Sequence, residues 1–324
     1  MERNEWLEAR KKGIGGTDIA AIFGLNRWKS PMHVYLDKIG AGETVEQNEA
    51  MYWGSKMERD LAERFDEEHP EFLLERNQES ELSVHPDHPF IVGSFDGLVL
   101  SAYSGVDVNG KVLPPIAGWE AKTASAYKRS EWDGVDVPQE YWLQCQWYMG
   151  ISGLPRWYLS VLIGGNDYRE FVIERDDEAI EMLIRRAVEF WKLVEDRTPP
   201  PIDGSEASSN VLDSMFPAED AVLDPPLDLG EGWSSVVLAL LTARGERDKY
   251  QATMDTLENE LKAQMGSHAV AITGKYEVDW KPRTRTSYNT RLLVEKHPEI
   301  ASQIAKVTEY RVFSVKEPKE DSDE

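Results

Sequence analysis

Asp96 and Glu120 are acids about two dozen residues apart, and Lys122 follows the second by two positions. They lie in the strings Ser94-Phe95-Asp96-Gly97 and Gly118-Trp119-Glu120-Ala121-Lys122-Thr123. Two hard oxygen ligands beside one ammonium are what a magnesium-dependent phosphodiester hydrolysis needs. The carboxylates hold Mg²⁺ and share it with the scissile phosphate, and the lysine orients the attacking water and offsets developing charge. The bare spacing of acid, acid and lysine is common, so its weight rests on the elements that carry it. Phe90-Ile91-Val92-Gly93 predicts a strand over Ile91–Phe95 leading into Asp96, and Ile116–Lys122 predicts another carrying Glu120. A strand sends residues i and i+2 to one face, so Glu120 and Lys122 project together while Trp119 and Ala121 point the other way.

Four neighbouring segments bear on the same chemistry. Gly13-Ile14-Gly15-Gly16-Thr17-Asp18 offers a glycine-rich approach to a ligand, with Thr17 expected to cap the following helix and Arg10 just upstream able to contact phosphate. An ordinary turn with an ordinary cap is the competing reading. Tyr52-Trp53-Gly54-Ser55-Lys56-Met57-Glu58-Arg59 places Glu58 on an acidic helix, where a surface role is the simpler expectation. In Pro138–Tyr148, the residues Tyr141, Gln144 and Tyr148 fall at i, i+3 and i+7 and share a helical stripe, which also suits the polar edge of a core helix. Ser94 precedes Asp96 by two residues, which places it on the same predicted strand face, where its hydroxyl can donate to a phosphate.

The remaining sequence bounds the setting. Helices are expected over Thr17–Phe23, Pro31–Ile39, Asn48–Glu68, Gln139–Met149 and Asp176–Asp196. Further strands are expected at Phe72–Arg76, Leu82–His85, Trp157–Ile163 and Tyr168–Glu174, giving an α/β unit over residues 1–197 with a central mixed sheet flanked by helices. Residues 198–232, rich in Pro, Ser and Asp, predict a linker. Residues 233–316 predict a small C-terminal unit with a long helix, a hairpin around Thr273-Gly274-Lys275, a helix at Thr290–Lys296 and a strand at Tyr310–Val315. A charged, disordered tail is expected at 317–324. The 324-residue chain carries a net charge of −23, which argues against a protein that coats nucleic acid nonspecifically. From Lys275 to Lys316, however, nine Lys/Arg face five Asp/Glu, and Lys281, Arg283, Arg285 and Arg291 form a candidate DNA or partner contact. The single Cys145 excludes an internal disulfide or a four-cysteine metal site and is expected to be inert filling. Without an apolar span or signal-peptide core, no membrane association is expected, and the protein is expected to act in the cytoplasm.

The ordered segments RKKGIGGTDIAAIFGLNRWKSP, WGSKMERDLAERF, VGSFDGL, GWEAKTA and QEYWLQCQWYMGISG together resemble the YqaJ-like viral recombinase family, relatives of phage lambda exonuclease within the PD-(D/E)xK nuclease superfamily. The likeness continues through FVIERD and into VDWKPRTRTSYNTRLL, HPEI and YRVFSV. It implies a restriction-endonuclease-like core. It also implies Asp96, Glu120 and the backbone oxygen of Ala121 as ligands of Mg²⁺, with Mn²⁺ as a substitute, and Glu58 supporting the metal or the water. Lys122 would be the catalytic lysine and Gln144 the active-site glutamine, while Arg10, Thr17 and Ser94 would hold a terminal 5′-phosphate. Thr17 stands where a serine is common and keeps the hydroxyl. The implied activity is a 5′→3′ exonuclease on double-stranded DNA ends, encoded by a phage or prophage, leaving 3′ single strands for an annealing protein. A trimeric ring is the implied oligomer. The alternatives are a structure-specific or nicking endonuclease on the same core, and a non-catalytic DNA-end-binding scaffold. An acidic mimic of DNA fits the charge but leaves the ordered segments unexplained.

Overall fold

The computed structural model describes residues 3–42, 47–77, 82–102 and 114–315. The chain divides into two compact units, residues 1–215 and 216–324. The first unit opens with three helices, α1 (Arg3–Lys11), α2 (Gly16–Ile22) and α3 (Pro31–Lys38), followed by the long α4 (Glu49–Glu68). Then come β1 (Phe72–Arg76), β2 (Ser83–Val84), β3 (Val92–Gly93), β4 (Gly97–Ser101) and β5 (Ala117–Ala124). Helix α5 (Gln139–Ser152), β6 (Arg156–Ile163), β7 (Asp167–Glu174), α6 (Asp177–Glu195) and α7 (Glu206–Met215) complete it. The principal sheet has the order β1-β4-β5-β6-β7. Its β5–β6 pair is parallel and the other pairs are antiparallel, because α5 provides the crossover that parallel neighbours require. The expected α/β architecture, a central mixed sheet flanked by helices, is the observed one.

Side-chain parity sorts the two faces of this sheet. Trp157, Leu159, Val161 and Ile163 of β6 enter a large core with α2, α3, α5 and α6. Tyr158 of β6, with Ala117 and Trp119 of β5, joins a smaller core beneath α4, built on Leu61, Ala62 and Phe65. Trp119 and Ala121 therefore face α4, and Glu120 and Lys122 face the other way, as the alternation requires.

On the α4 face a hydrogen-bond chain runs inward from the surface. His69 Nε2 meets Glu170 Oε1 at 2.7 Å, Tyr168 donates to Glu170 Oε2 at 3.0 Å, and Ser160 Oγ lies 3.2 Å from the Tyr168 hydroxyl. Trp119, next to Glu120 in sequence, donates its indole N–H to Ser160 at 2.9 Å. Burial alone would lower the His69 pKa, but the Glu170 and Glu71 carboxylates outweigh it and hold the imidazolium above the ordinary 6.5. A raised histidine pKa contributes stability that is fully present below the unfolded value and is lost as pH rises through the folded value. Thermal unfolding of wild type and Glu170→Gln across that window should show a wild-type advantage below pH 6.5 that disappears above it. For this partly exposed pair the difference should be below about 1 kcal/mol.

Two expectations for this unit change. The strand predicted at Ile91–Phe95 is only the two-residue β3, paired with β2 in a separate small sheet. The chain leaves that sheet after Gly93 because Phe95 turns into the core, where its ring meets Tyr148 and Trp157 at centroid distances of 5.0 Å each. Asp96 consequently sits at the head of β4 in the principal sheet. Within the stretch expected as a linker, α7 buries Ala207 and Val211 and contacts α3. Its apolar residues, spaced by four, have a core to join.

The second unit holds α8 (Ser234–Met265), the hairpin β8 (Val270–Thr273) and β9 (Tyr276–Asp279), and the short helices α9 (Thr290–Lys296) and α10 (Pro298–Ile304). Gly274 takes the left-handed conformation the hairpin turn needs, and Asn289 caps α9 by accepting from Leu292 N at 3.0 Å. The expected strand at Tyr310–Val315 does not form. Tyr310, Val312 and Phe313 are exposed, and among the described residues no strand pairs with them. Lys281, Arg283 and Arg285 lie on an exposed irregular segment, with Lys281 paired to Asp279 at 2.8 Å, and Arg291 is exposed on α9. The tail expected at 317–324 lies outside the described residues. Among the described residues, no helix is long and apolar enough to cross a membrane.

Candidate active site

The register of β5 against its neighbours builds the site. Gly118 stands opposite Trp157 on β6. A Cβ on Gly118 would fall 2.3 Å from the indole carbons, so only glycine lets the ring lie flat across β5. The fully buried Trp157 ring then leans on Phe95 and on Tyr148, at centroid distances of 5.0 and 5.4 Å. One side chain thus braces the residue before Asp96, the strand before Glu120 and the helix across from them. Gly118→Ala should therefore destabilise by about 3 kcal/mol, because the ring has nowhere to move. Thermal unfolding would read this as a fall of roughly 5–10 °C.

Asp96 is half-buried, and its Oδ2 accepts the backbone N–H of Ala121 at 2.9 Å. That bond ties the head of β4 to β5 between Glu120 and Lys122. Glu120 is 2% exposed. Its Oε1 contacts the Lys122 ammonium and accepts from Gln144 Nε2 at 2.7 Å, while its buried Oε2 receives no hydrogen bond from a donor among the described residues. Burial, and then the adjacent Asp96 charge, push the Glu120 carboxyl up to about 8. Burial likewise raises Asp96, partly offset by Lys122 and the Ala121 N–H. Burial opposes the charge on Lys122, yet the two carboxylates prevail and hold its ammonium above the usual lysine range.

Helix α5 supplies the opposite wall. Residues Leu143 to Met149 are all buried, so its polar members must find partners inside the protein. Gln146 donates to Glu174 O at 2.8 Å and accepts from Asp176 N at 2.9 Å, and Trp147 donates to Val92 O at 2.9 Å. Gln144 also donates to the Tyr148 hydroxyl at 2.8 Å. Gly16 at the start of α2 comes so close that a Cβ would meet the Tyr148 ring at 2.7 Å. Cys145 is fully buried on this helix, where burial and the nearby Glu120 charge push its thiol well above the ordinary range.

These residues open onto one cleft of about 490 Å³. Arg10, Thr17, Glu58, Ser94, Asp96, Glu120, Ala121, Lys122 and Gln144 all line it, as does Tyr148, whereas Tyr141 of the predicted stripe is not among the lining residues. The Arg10 guanidinium donates to Thr17 Oγ1 at 3.1 Å. Thr17 does not cap α2. Gly15 holds the cap position, and Asp18, one turn in, accepts the Gly15 N–H at 3.0 Å, because a carboxylate at that position reaches back where Thr17 cannot. Glu58 lines the cleft and pairs with Arg76 at 3.5 Å. The basic residues Lys281, Arg283, Arg285 and Arg291 belong to the other unit. Sequence reasoning did not single out Asp18, Lys38 or Arg76: Asp18 stands at a capping-box position, but its pairing with Lys38 and that of Arg76 with Glu58 join residues distant in sequence. Tyr148 was visible only as part of a stripe.

Asp96 and Glu120 suit a hard divalent cation. They are two adjacent carboxylates, and the buried Glu120 Oε2 receives no hydrogen bond from a donor among the described residues. Among the described residues no three His, Cys, Asp or Glu side chains converge as a ligand set. An ion such as Mg²⁺ takes one or two carboxylates and keeps several waters.

The sequence profile of the YqaJ-like viral recombinase domain matches residues 5–155, which contain all of the cleft residues named above. The uncharacterized protein YqaJ of Bacillus subtilis (strain 168) is 32% identical over 322 residues, 98% of this chain and 95% of that protein. Among solved structures, an alkaline exonuclease (LHK-Exo) from Laribacter hongkongensis is similar at 18% identity with a TM-score of 0.47, covering 60% of this chain and 93% of that one. A phage related exonuclease from Haemophilus somnus 129PT is similar at 12% identity with a TM-score of 0.42, over 57% and 94% of the two chains. The profile falls on the unit that builds the cleft, and the Bacillus relative spans both units, so the chain belongs to the YqaJ-like viral recombinase family.

Proposed function

We propose that this protein is a metal-dependent deoxyribonuclease that degrades double-stranded DNA from its ends in the 5′→3′ direction. The observation that carries this reading is the Asp96–Glu120–Lys122 group, with the buried Glu120 carboxylate at its centre, in a cleft shared with Arg10, Thr17 and Ser94. Asp96 and Glu120 would hold Mg²⁺, or Mn²⁺ in its place, with the Ala121 carbonyl on the same strand. The ion, when bound, supplies charge stabilisation at the scissile phosphate. Lys122 orients the attacking water and places a fixed positive charge where the phosphate gains negative charge. Gln144 fixes the rotamer of Glu120 and carries that order to Tyr148. Glu58 supports the water from the α4 side, held in place by Arg76. Arg10, Thr17 and Ser94 hold the terminal 5′-phosphate by charge-assisted hydrogen bonds and so align the first phosphodiester with the carboxylates.

A 5′→3′ enzyme of this kind leaves 3′ single strands, the substrate of a strand-annealing partner in recombination. A ring of three copies enclosing the duplex accounts for progress along DNA by an acidic chain. The test is digestion of linear duplexes labelled at either end, with and without 5′-phosphate, in Mg²⁺ and in chelator. Mg²⁺-dependent release of the 5′ label first, faster from phosphorylated ends, is expected. Nicking of covalently closed circles would replace this reading with an endonuclease. Duplex binding without nucleotide release in either metal would leave a DNA-end scaffold.

A further inference from the structure

Beneath Arg10 and Thr17 lies an ion pair that the chemistry above does not use. Lys38, at the end of α3, meets Asp18 Oδ2 at 2.7 Å, with side-chain exposures of only 1% and 3%. The same ammonium donates to the backbone carbonyl of Arg10 at 3.0 Å, and the same Asp18 oxygen accepts the Gly15 N–H at 3.0 Å. Burial would raise the Asp18 carboxyl, but the charges of Lys38, Arg10 and Lys29 reverse this and keep it below the usual range. The contact is enclosed by the protein on both sides. Desolvating two charges costs about as much as their attraction returns, and an apolar pair of similar volume would often serve stability equally well. Its distinctive effect is geometric. Lys38 fixes the backbone at Arg10, Asp18 fixes the turn into α2, and between them they set the 3.1 Å approach of the Arg10 guanidinium to Thr17.

We infer that the Asp18–Lys38 ion pair is a positioning device for end recognition, holding the Arg10 guanidinium and the Thr17 hydroxyl in register for a terminal 5′-phosphate and so setting the preference for phosphorylated over hydroxylated DNA ends. This rests on the reading that Arg10 and Thr17 meet that phosphate. Neither Asp18 nor Lys38 touches the substrate. Lys38 is enclosed in the protein, and its ammonium is already committed to Asp18, to the Arg10 carbonyl and to Asp37 at 3.4 Å.

The test compares wild type with the double variant Asp18→Leu/Lys38→Met, which keeps volume and removes both charges. Dissociation constants are measured for two duplexes of one sequence, 5′-phosphorylated and 5′-hydroxylated, with Ca²⁺ replacing Mg²⁺ to hold turnover in check. Steady-state kinetics on both follow in Mg²⁺. Misplacing a phosphate clamp should weaken binding of the phosphorylated duplex by about tenfold and leave the hydroxylated one within about twofold. KM for phosphorylated ends should rise while kcat holds. Asp18→Glu, which keeps the charge but lengthens the side chain by one methylene, is read in parallel and should lower the ratio by severalfold. It also serves if the double variant does not fold. Equal weakening of both duplexes, or an unchanged ratio in a folded variant, would overturn the inference and assign the pair to stability. Equal wild-type affinity for the two ends would also overturn it, yet leave the nuclease reading standing if Mg²⁺-dependent digestion persists. Discriminating binding without any digestion would do the reverse.

Discussion

Lys122→Ala is expected to slow phosphodiester hydrolysis by about a thousandfold or more while leaving duplex affinity within a fewfold, the scale seen when one preorganised charge-stabilising group is removed. The ammonium sits on a strand locked between β4 and β6 and is directed at Glu120, with the Tyr141 ring 5.5 Å away. Truncation removes the charge without loosening the scaffold. It also takes the ammonium away from Glu120 while the Gln144 hydrogen bond stays, so Lys122→Met, which preserves the stem, should lose as much rate with less structural change. Single-turnover digestion at saturating DNA separates this effect from binding. A Lys122→Ala protein that retained its rate would remove the residue from the chemistry and the proposed mechanism with it.

The second large effect is a linkage between metal and pH. Glu120 has a raised carboxyl, at about 8 against an ordinary 4.5. In the metal-free protein its contribution to stability is therefore complete below 4.5 and is lost as pH rises through the folded value. A cation must displace that proton to bind, so Mg²⁺ affinity should climb over the same interval. Calorimetric melting with Mg²⁺ at about a hundredfold over its dissociation constant should show a gain near 3 kcal/mol above pH 8. The corresponding rise in melting temperature is roughly 5–10 °C, shrinking toward nothing near pH 6. Asp96→Asn and Glu120→Gln should abolish the metal-dependent rise at every pH. A rise of equal size at both pH values, or one that survives both substitutions, would place the ion elsewhere.

Much of this site is legible from local rules. Parity alone puts Glu120 and Lys122 on one face of β5 and Trp119 and Ala121 on the other. The three- and four-residue spacing places Gln144 and Tyr148 together. What is not legible depends on contacts distant in sequence. Asp96 changes sheets because Phe95 finds Trp157, more than sixty residues on. Gly118 falls inside the predicted strand Ile116–Lys122, and its need for glycine shows only once the indole lying across it is seen. Asp18 and Lys38 are unremarkable polar residues on separate short helices, and only the fold makes them a pair. The failed strand at Tyr310–Val315 makes the same point in reverse, since β-propensity without a partner strand forms no ladder. In α7, tertiary contact supplies what composition alone denied.

The enclosed thiol of Cys145 has a practical consequence for following this protein in solution. It is the one cysteine in the chain, and it is sealed inside α5 and held protonated. Alkylating reagents should spare the native fold and capture this thiol only on unfolding, so labelling of the unaltered protein becomes a clock for global opening. The same silence makes the chain a clean background for a reporter. A cysteine introduced at the exposed Ser55, on the lip of the cleft, would be the single fast-reacting thiol, and a dye placed there would register a DNA end as it enters.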